Sequence, residues 1–537
     1  MTRIVYLPLV LCLQWLSGAY VAGFDGYYDE PRHYVTGLML RDYIAGFHLA
    51  HPMQFAQNYY LHYPAVAFGH WPPVFYVLQA AWMMFLPVSH ASILVLMAIL
   101  TAATAALIHW CAAGRLSSIE AWMAGLLFVA LPVTQMYAAM VMAEMPLALF
   151  SVAALIVMVR FLEKATTRVA VALGLAISVA VLAKPSAWAL PPTLVLSILL
   201  LQDWKRLLSK HVWMAGAIVA VLCVPFSILT LSMVRAGMEG RSITWSRSRA
   251  AFSTYVSEFP EVLGIALLVL VLCGLVTKCL LPLYQRRPMD PFWAVMAAFI
   301  ASVLVFHVVV PTTSEPRKIL MTVPAVLLFA AGGVQWIATR FRTSRPVVVL
   351  LALGLFGALT FTIPHREPSW IPPVAGAVVS RPDLRMPVIL VASQQPQGVE
   401  IDAEAAVIAQ IASMEPQRLT RYVLRASKLL ITGTLSGGPY HSLFETTAEQ
   451  RSALDQVPVG LLIVHSVAGE PELPHQSLLR AMLKEYSSDW QQVYSATNRS
   501  GREATQIFRR TGDIAARPIR FQVQIVGGGL GLTIKTQ

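Results

Sequence analysis

Long apolar segments separated by short polar loops make up most of this chain, and this alternation restricts its possible folds more than any other feature. A membrane-spanning helix needs about 20 mostly apolar residues, because the hydrocarbon core of a bilayer is about 30 Å thick. We therefore predict a mainly α, polytopic membrane helix bundle of about eleven spans. The predicted spans are 4–22, 91–112, 119–137, 145–161, 168–184, 186–202, 212–234, 261–283, 291–310, 319–338 and 346–363.

The composition supports a membrane protein. Hydrophobic residues make up 57% of the chain, charged residues only 13%, and the mean hydropathy is +0.62. Soluble domains carry about 25% charged residues. The net charge of +12 does not indicate nucleic acid, because Lys and Arg accumulate in the cytoplasmic loops of membrane proteins. All five cysteines lie in apolar segments, so we predict neither a disulfide framework nor a cysteine metal site.

The basic loops predict the orientation of the bundle. Short loops rich in Lys and Arg stay in the cytoplasm, and alternate loops here share that character. We therefore predict an integral plasma (inner) membrane protein with a cytoplasmic N-terminus. The segment 73–87 then lies along the interface; if it crosses instead, every later basic loop moves outside. The basic loops contain Arg115; Arg160, Lys164 and Arg168; Lys205, Arg206 and Lys210; Arg286 and Arg287; and Arg340, Arg342 and Arg345.

The first apolar segment has two interpretations. Ala19-Tyr-Val-Ala22 resembles a signal-peptidase site, and a cleaved signal peptide is one of them. We favour a retained first span, because an acidic stretch follows at once and requires anchoring.

This acidic stretch opens the first outer loop, 23–72, which also contains two helix-like pieces at about 31–46 and 48–60. Asp29 and Glu30 are candidates for a general base, since a carboxylate in a partly apolar cleft has a pKa raised towards neutrality. The alternative is a solvated loop or a cap for the following helix.

Further polar residues fall on the same predicted side as Asp29. Glu144 opens a span just before Pro146, where an ordinary N-terminal acid is the alternative to a functional one. Lys184 either snorkels to the interface or pairs with Glu144 or a phosphate. The outer loop 235–260 is basic, contrary to the general trend, which suggests an anionic ligand. The candidate phosphate-binding residues are His70, Lys184, Arg247, Arg249 and Arg317.

A compositional change after residue 364 divides the chain. We predict a transmembrane domain over 1–364, a proline-rich linker over 365–384 and an extracytoplasmic α/β domain over 385–537. Strands are expected at 387–392 and 459–464, and amphipathic helices at 402–414 and 475–486. Asp455, His465 and His475 are scattered, and we interpret them as ordinary surface or loop residues.

Three motifs occur in order on the predicted outer side: Tyr28-Asp29-Glu30, His70-Trp71-Pro72-Pro73 and Met142-Ala-Glu-Met-Pro-Leu-Ala-Leu-Phe150. Together they resemble the GT-C superfamily of membrane glycosyltransferases. The resemblance covers roughly residues 1–340. It is strongest to the group of protein O-mannosyltransferases, lipid A aminoarabinose transferases and RgtA/B/C/D-like transferases. Two departures stand out: Trp71 replaces a lysine that often precedes the Pro-Pro pair, and Glu144 replaces an Asp of several relatives.

The resemblance implies a sugar transferase that uses a polyprenyl-phosphate donor and inverts the anomeric carbon. Asp29, with Glu30 beside it, would be the base on the acceptor hydroxyl, and Glu144 would position the acceptor or the base. The acceptor, a glycan, lipid or protein, stays open. No cofactor is certain, although outer carboxylates could hold a divalent cation.

Two other classes of protein are the alternatives. A multi-span transporter or flippase would show an internal repeat and polar, broken helices at the bilayer midplane, and we find no repeat. A non-catalytic membrane scaffold would use its α/β domain to bind a partner. Convergence of Asp29, Glu144 and the outer arginines in one cleft would favour the transferase.

Overall fold

The computed structural model is mainly helical, with a small β-sheet domain at its C-terminal end. It describes residues 5–48, 50–67, 69, 71–236, 243–310, 315–341, 345–394, 402–432, 440–498, 501–512, 519, 521–525 and 532–535.

The first half of the bundle begins with a short apolar helix, continues through the outer loop and then runs through a series of apolar helices. A 3-10 turn, Pro185–Ala189, leads into α10, and another, Trp204–Leu208, follows it. The helices are α1 (Tyr6–Leu16), α2 (Glu30–Ala45), α3 (Pro52–His62), α4 (Val74–Phe85), α5 (His90–Ala113), α6 (Ser118–Ala130), α7 (Pro132–Ala138), α8 (Glu144–Glu163), α9 (Thr167–Ala183), α10 (Leu190–Leu200) and α11 (Lys210–Ala236).

The second half of the bundle contains two helices that the sequence did not predict: α12, which covers most of the predicted outer loop 235–260, and α18, in the predicted linker. A π-helical turn, Val276–Leu280, joins α13 to α14, and a 3-10 helix, Pro316–Thr322, leads into α16. These helices are α12 (Trp245–Leu263), α13 (Ile265–Leu275), α14 (Leu281–Tyr284), α15 (Pro291–Val309), α16 (Val323–Arg340), α17 (Arg345–Phe361) and α18 (Ile371–Ser380).

The helix lengths bear on the predicted number of spans. Each predicted span coincides with a helix or a pair of helices, but in the described residues only six helices are long and apolar enough to cross a bilayer. A seventh results if α6 and α7, bent by 58° at Pro132, form one broken span. The length and apolar composition of these helices identify the chain as an integral membrane protein. The number of eleven spans stays a prediction. The helix α4 has 12 residues and packs against α2.

Two helices of the bundle approach each other closely through glycines. A Cβ at Gly274 of α13 would lie 1.9 Å from the carbonyl oxygen of Phe329, and one at Gly333 of α16 would lie 2.1 Å from that of Leu270. Small residues permit such backbone contact, which is a main source of helix association in lipid. This packing fixes α16, whose preceding 3-10 helix contributes to the site described below.

The C-terminal domain is an α/β layer built on one five-stranded sheet. Its strand order is β2-β1-β5-β7-β6, with β1 parallel to β2 and β5, and β7 antiparallel to β5 and β6. Fully buried Leu390 and Leu462 pair across β1 and β5. The strands are β1 (Val388–Ser393), β2 (Tyr422–Arg425), β3 (Ile431–Thr432), β4 (His441–Ser442), β5 (Leu461–Val467), β6 (Trp490–Thr497), β7 (Glu503–Arg510), β8 (Gln522–Ile525) and β9 (Leu532–Lys535).

The helices of this domain are α19 (Ala403–Met414), α20 (Ala426–Leu429), α21 (Thr447–Gln456) and α22 (Pro474–Glu485). The four elements that the sequence predicts here are confirmed as β1, β5, α19 and α22. Residues 365–384, the predicted linker, contain α18, which packs against α19 and buries Val374 and Val378. The helix α19 also packs against α2, so the domain rests on the first outer loop.

Candidate active site

Asp29 lies at the start of α2, and its position follows from the local sequence. Pro31 is favoured in the first turn of a helix, because backbone N–H groups there have no partner within the helix and proline lacks an N–H. The Asp29 side chain makes no capping bond to this turn. It is 5% exposed and points to a partner from another part of the chain, which argues against the simple capping role.

That partner is Arg317, in the 3-10 helix Pro316–Thr322. Its Nη1 donates to Asp29 Oδ2 at 3.1 Å and lies 3.8 Å from Glu144 Oε1. Its Nε forms an ion pair with Glu315, and its guanidinium lies 4.5 Å from the ring centroid of Tyr27. Tyr27 in turn donates to Glu315 at 2.9 Å. One guanidinium therefore joins the first outer loop to two other segments.

Glu144 and Lys184 complete the cluster. Glu144 opens α8 with 1% exposure, and Lys184, directly after α9, donates from Nζ to its Oε1. Lys184 therefore pairs with Glu144 instead of extending along the membrane surface. The structure brings together four of the predicted residues, Asp29, Glu144, Lys184 and Arg317.

Glu30 follows Asp29 in sequence but enters a different network. It is fully buried and accepts hydrogen bonds from the backbone N–H groups of Val141 (2.9 Å) and Gly26 (3.0 Å). His90 Nε2 lies 3.1 Å from Glu30 Oε1, and Arg366 lies 3.7 Å from Oε2. These neighbours fill the positions around the carboxylate, so Glu30 ties the outer loop to the bundle.

The two neighbouring carboxyl groups have opposite pKa shifts. Burial raises the pKa of Asp29, although Arg317, Arg32 and Lys184 oppose the shift. Burial alone would also raise the pKa of Glu30, but Arg366, His90 and the Val141 N–H outweigh it and the pKa is lowered. A raised pKa suits a group that must accept a proton near neutral pH, and this favours Asp29 over Glu30 as a base.

The remaining predicted residues lie elsewhere. Arg247 and Arg249 are in the first turns of α12, half-buried and exposed respectively, and α12 packs beside the 3-10 helix that carries Arg317. His70 lies outside the described residues. Trp71, at the position where relatives often have lysine, packs at 4.2 Å between ring centroids against His33 of α2.

Three residues of the site were not identified from the sequence: Tyr27, Glu315 and Arg32. Arg32 lies 4.0 Å from Asp29 and donates to the carbonyl of Tyr28 at 2.8 Å. Its position one helical turn after Asp29 was a usable signal, because residues three apart share a helix face. Glu315 lies two residues before Arg317 in a polar segment that we predict on the same side, and this proximity was the available signal.

The described residues contain no group of three or more His, Cys, Asp or Glu side chains arranged to hold a metal ion. Asp29 and Glu144 already have Arg317 and Lys184 as cationic partners. These two carboxylates could bind a divalent cation only if Arg317 and Lys184 were displaced.

The fold and the site define a class: a polytopic membrane protein with a buried charged cluster next to its C-terminal α/β domain. The family model of dolichyl-phosphate-mannose-protein mannosyltransferases matches residues 70–229. Comparison with curated proteins gave no match.

Solved structures match over almost the whole chain. ArnT from Cupriavidus metallidurans bound to undecaprenyl phosphate is 14% identical with a TM-score of 0.57, over 96% of this chain and 99% of that one. Its apo state gives 14% and 0.55, over 94% and 97%. The Archaeoglobus fulgidus oligosaccharyltransferase, in complex with Zn and sulfate, gives 12% and 0.55, over 94% and 73%. The family-model match over residues 70–229 and the fold shared with these solved structures confirm the predicted resemblance to the GT-C superfamily of membrane glycosyltransferases.

Proposed function

We propose that this protein is an integral membrane glycosyltransferase that moves a sugar from a polyprenyl-phosphate donor to an acceptor hydroxyl, with Asp29 as the base. The observation that carries the proposal is the convergence of Asp29, Glu144, Lys184 and Arg317 in one buried cluster. The structural relative ArnT binds undecaprenyl phosphate, which supports a lipid phosphate as the donor's leaving group.

The proposed reaction is a single displacement with inversion. Asp29 accepts the proton of the acceptor hydroxyl while that oxygen bonds to the anomeric carbon of the sugar. The bond from this carbon to the phosphate oxygen breaks, and the polyprenyl phosphate leaves with the electron pair. The negative charge on the phosphate therefore increases in the transition state, and positioned cations stabilise it.

Arg317 and Lys184 would supply this stabilisation. Both now pair with carboxylates, so the described cluster of Asp29, Glu144, Glu315, Arg317 and Lys184 holds three negative and two positive groups. A guanidinium has a planar fork of donors that suits phosphate. Glu144 would hold Lys184 and Arg317 in position, and Glu30 would hold the loop that carries Asp29.

The membrane orientation is part of the proposal. Asp29, Glu144 and the C-terminal α/β domain (385–537), which we infer to be a soluble domain, lie at one end of the bundle. At the other end Glu163, the last residue of α8, pairs with Arg115 at 2.9 Å. The helix α8 connects the two ends, and its 20 residues span about 30 Å. By the positive-inside rule the acidic end is the outer face of the plasma membrane.

The same convergence argues against the two alternatives. A scaffold has no requirement for buried carboxylates beside cations, whose desolvation is costly. A transporter or flippase would place such groups near the bilayer midplane, whereas Asp29 and Glu144 begin helices at one end of the bundle.

The test is a transfer assay on the purified chain in nanodiscs, with a panel of polyprenyl-phosphate sugars. Wild type should release polyprenyl phosphate with at least one donor, and Asp29→Asn should abolish transfer while the protein stays folded. Asp25→Asn is the matched control, because Asp25 lies in the same loop but bonds Ser369 at 3.0 Å. Full activity of Asp29→Asn would remove Asp29 as the base.

A further inference from the structure

The soluble domain contributes charged residues to the surroundings of Asp29. Arg32 Nη2 donates to Asp402 Oδ2 at 2.5 Å, while its Nη1 lies 4.0 Å from Asp29 Oδ1. The side chains of Arg32 and Asp402 are 11% and 9% exposed. Asp402 therefore reaches Asp29 through a single buried guanidinium.

Asp402 is itself held firmly within its domain. Arg425 donates to both of its carboxylate oxygens, at 2.8 and 2.7 Å, and the backbone N–H of Ala405 donates to Oδ1 at 3.1 Å. Arg425 also lies 3.4 Å from Glu404, which accepts a hydrogen bond from Ser427. Two arginines and two acids thus form a buried charged cluster, with Lys428 and Tyr60 beside it. Of the two arginines, Arg32 comes from the outer loop and Arg425 from the domain.

Other contacts between the same two parts fix the orientation of the domain. Arg418 lies 3.4 Å from Asp42 of α2, and Tyr63 donates to Glu415 at the end of α19. These contacts bind the domain to the C-terminal end of α2 and to the segment after α3. Of these contacts, the bond from Arg32 to Asp402 acts on the first turn of α2, next to Asp29.

We propose that the soluble domain is a working part of the active site, in which Asp402 holds Arg32 and Arg32 positions the carboxylate of Asp29. Asp29 is then held between Arg317 from the bundle and Arg32 from a loop locked to the domain. Arg32 and Asp402 are positioning residues. This inference rests on the proposed function, since it assigns Asp29 a reaction.

A displacement of about 1 Å in a reacting group can cost about 100-fold in rate. We therefore expect Asp402→Asn and Arg32→Gln each to lower kcat by about 10- to 100-fold, with the KM for the lipid-linked donor within about twofold of wild type. Arg32→Lys should recover part of the loss, because it restores the charge but not the second donor.

A double-mutant cycle separates positioning from domain stability. If Asp402 acts through Arg32, adding Asp402→Asn to Arg32→Gln should change kcat by less than about twofold. Glu404→Gln is the matched control, because Glu404 shares Arg425 with Asp402 but makes its described contacts to Arg425 and Ser427. Its kcat should fall less than that of Asp402→Asn, because it leaves the bonds from Arg425 and Arg32 to Asp402 in place.

Two results would overturn the proposal: kcat losses that multiply in the double variant, or equal losses in Glu404→Gln and Asp402→Asn. If wild type transfers no sugar from any donor, the proposed function fails. Hydrogen exchange of residues 26–36 then still measures whether Asp402 stabilises the start of α2 through Arg32. Asp402→Asn should speed that exchange and Glu404→Gln should not; unchanged exchange in both would reject the link itself.

Discussion

Arg317 donates a hydrogen bond to Asp29 at 3.1 Å, although the two residues are 288 positions apart in the chain. The contact joins the start of the first outer loop to the 3-10 helix before α16. It places one cation between the proposed base and Glu144, 3.8 Å away.

Arg317→Gln should lower kcat by about 100-fold or more, because a positioned donor to developing charge is worth that much in transfer reactions. It should also move the acidic limb of the kcat/KM profile to higher pH, since loss of a neighbouring cation raises the pKa of Asp29 further. Steady-state kinetics over a pH series measures both. Arg340→Gln, exposed at the other end of α16, is the control, and equal effects of the two variants would contradict the role.

Glu30→Gln should affect stability more than chemistry. Removal of one partner from a buried charged network costs about 3–5 kcal/mol, and here Arg366 would lose its carboxylate. Thermal unfolding in nanodiscs should show a clear fall for Glu30→Gln. Glu163→Gln breaks only the half-exposed pair with Arg115 and should cost less than about 1 kcal/mol. An inactive Glu30→Gln with wild-type stability would instead place Glu30 in the chemistry.

Gly274→Ala should disrupt the bundle, because the added Cβ would lie 1.9 Å from the Phe329 carbonyl oxygen and force α13 away from α16. We expect a lower unfolding temperature and reduced transfer, since α16 continues from the helix that carries Arg317. The control is Gly354→Ala in α17, where nothing lies within 4 Å. Equal stability of the two variants would show that the contact between α13 and α16 is not needed.

Acid should loosen the soluble domain around His465. His465 is buried in β5, so its interpretation as a surface or loop residue was wrong. Burial lowers the pKa of His465 to about 4 from 6.5, and its ring stacks on Trp370 at 4.2 Å between centroids. Between these two values the unfolded state binds the proton and the folded state does not. Stability is therefore present above pH 6.5 and is lost as pH falls towards 4, by up to about 3 kcal/mol.

Hydrogen exchange of β5, corrected for the intrinsic rate at each pH, measures this loss. His465→Gln should show a smaller change in protection between pH 7.5 and pH 5 than wild type. His441→Gln, at an exposed position of β4, should keep the wild-type dependence. If protection in His465→Gln depends on pH as in wild type, groups other than His465 cause its loss in acid.

Much of the fold was readable from the sequence, because local pattern determines it. Apolar length marked the helical segments of the bundle, and alternation with turn residues marked β1, β5, α19 and α22. The helix α12 and the packed helix α18 were missed; both lie where polar or proline-rich composition suggested loop. Burial against neighbours, such as α19 beneath α18, stabilises such helices more than propensity does.

For the site, the sequence determined which charged residues lie at the ends of apolar segments: Asp29, Glu144, Lys184 and Arg317. Only the tertiary structure decided their partners. It separated Asp29 from Glu30, which face different neighbours although they are adjacent. It also brought Arg32 against Asp402 of the soluble domain. The physical reason is that burial and ion pairing depend on distances in space, which no local pattern encodes for residues hundreds of positions apart.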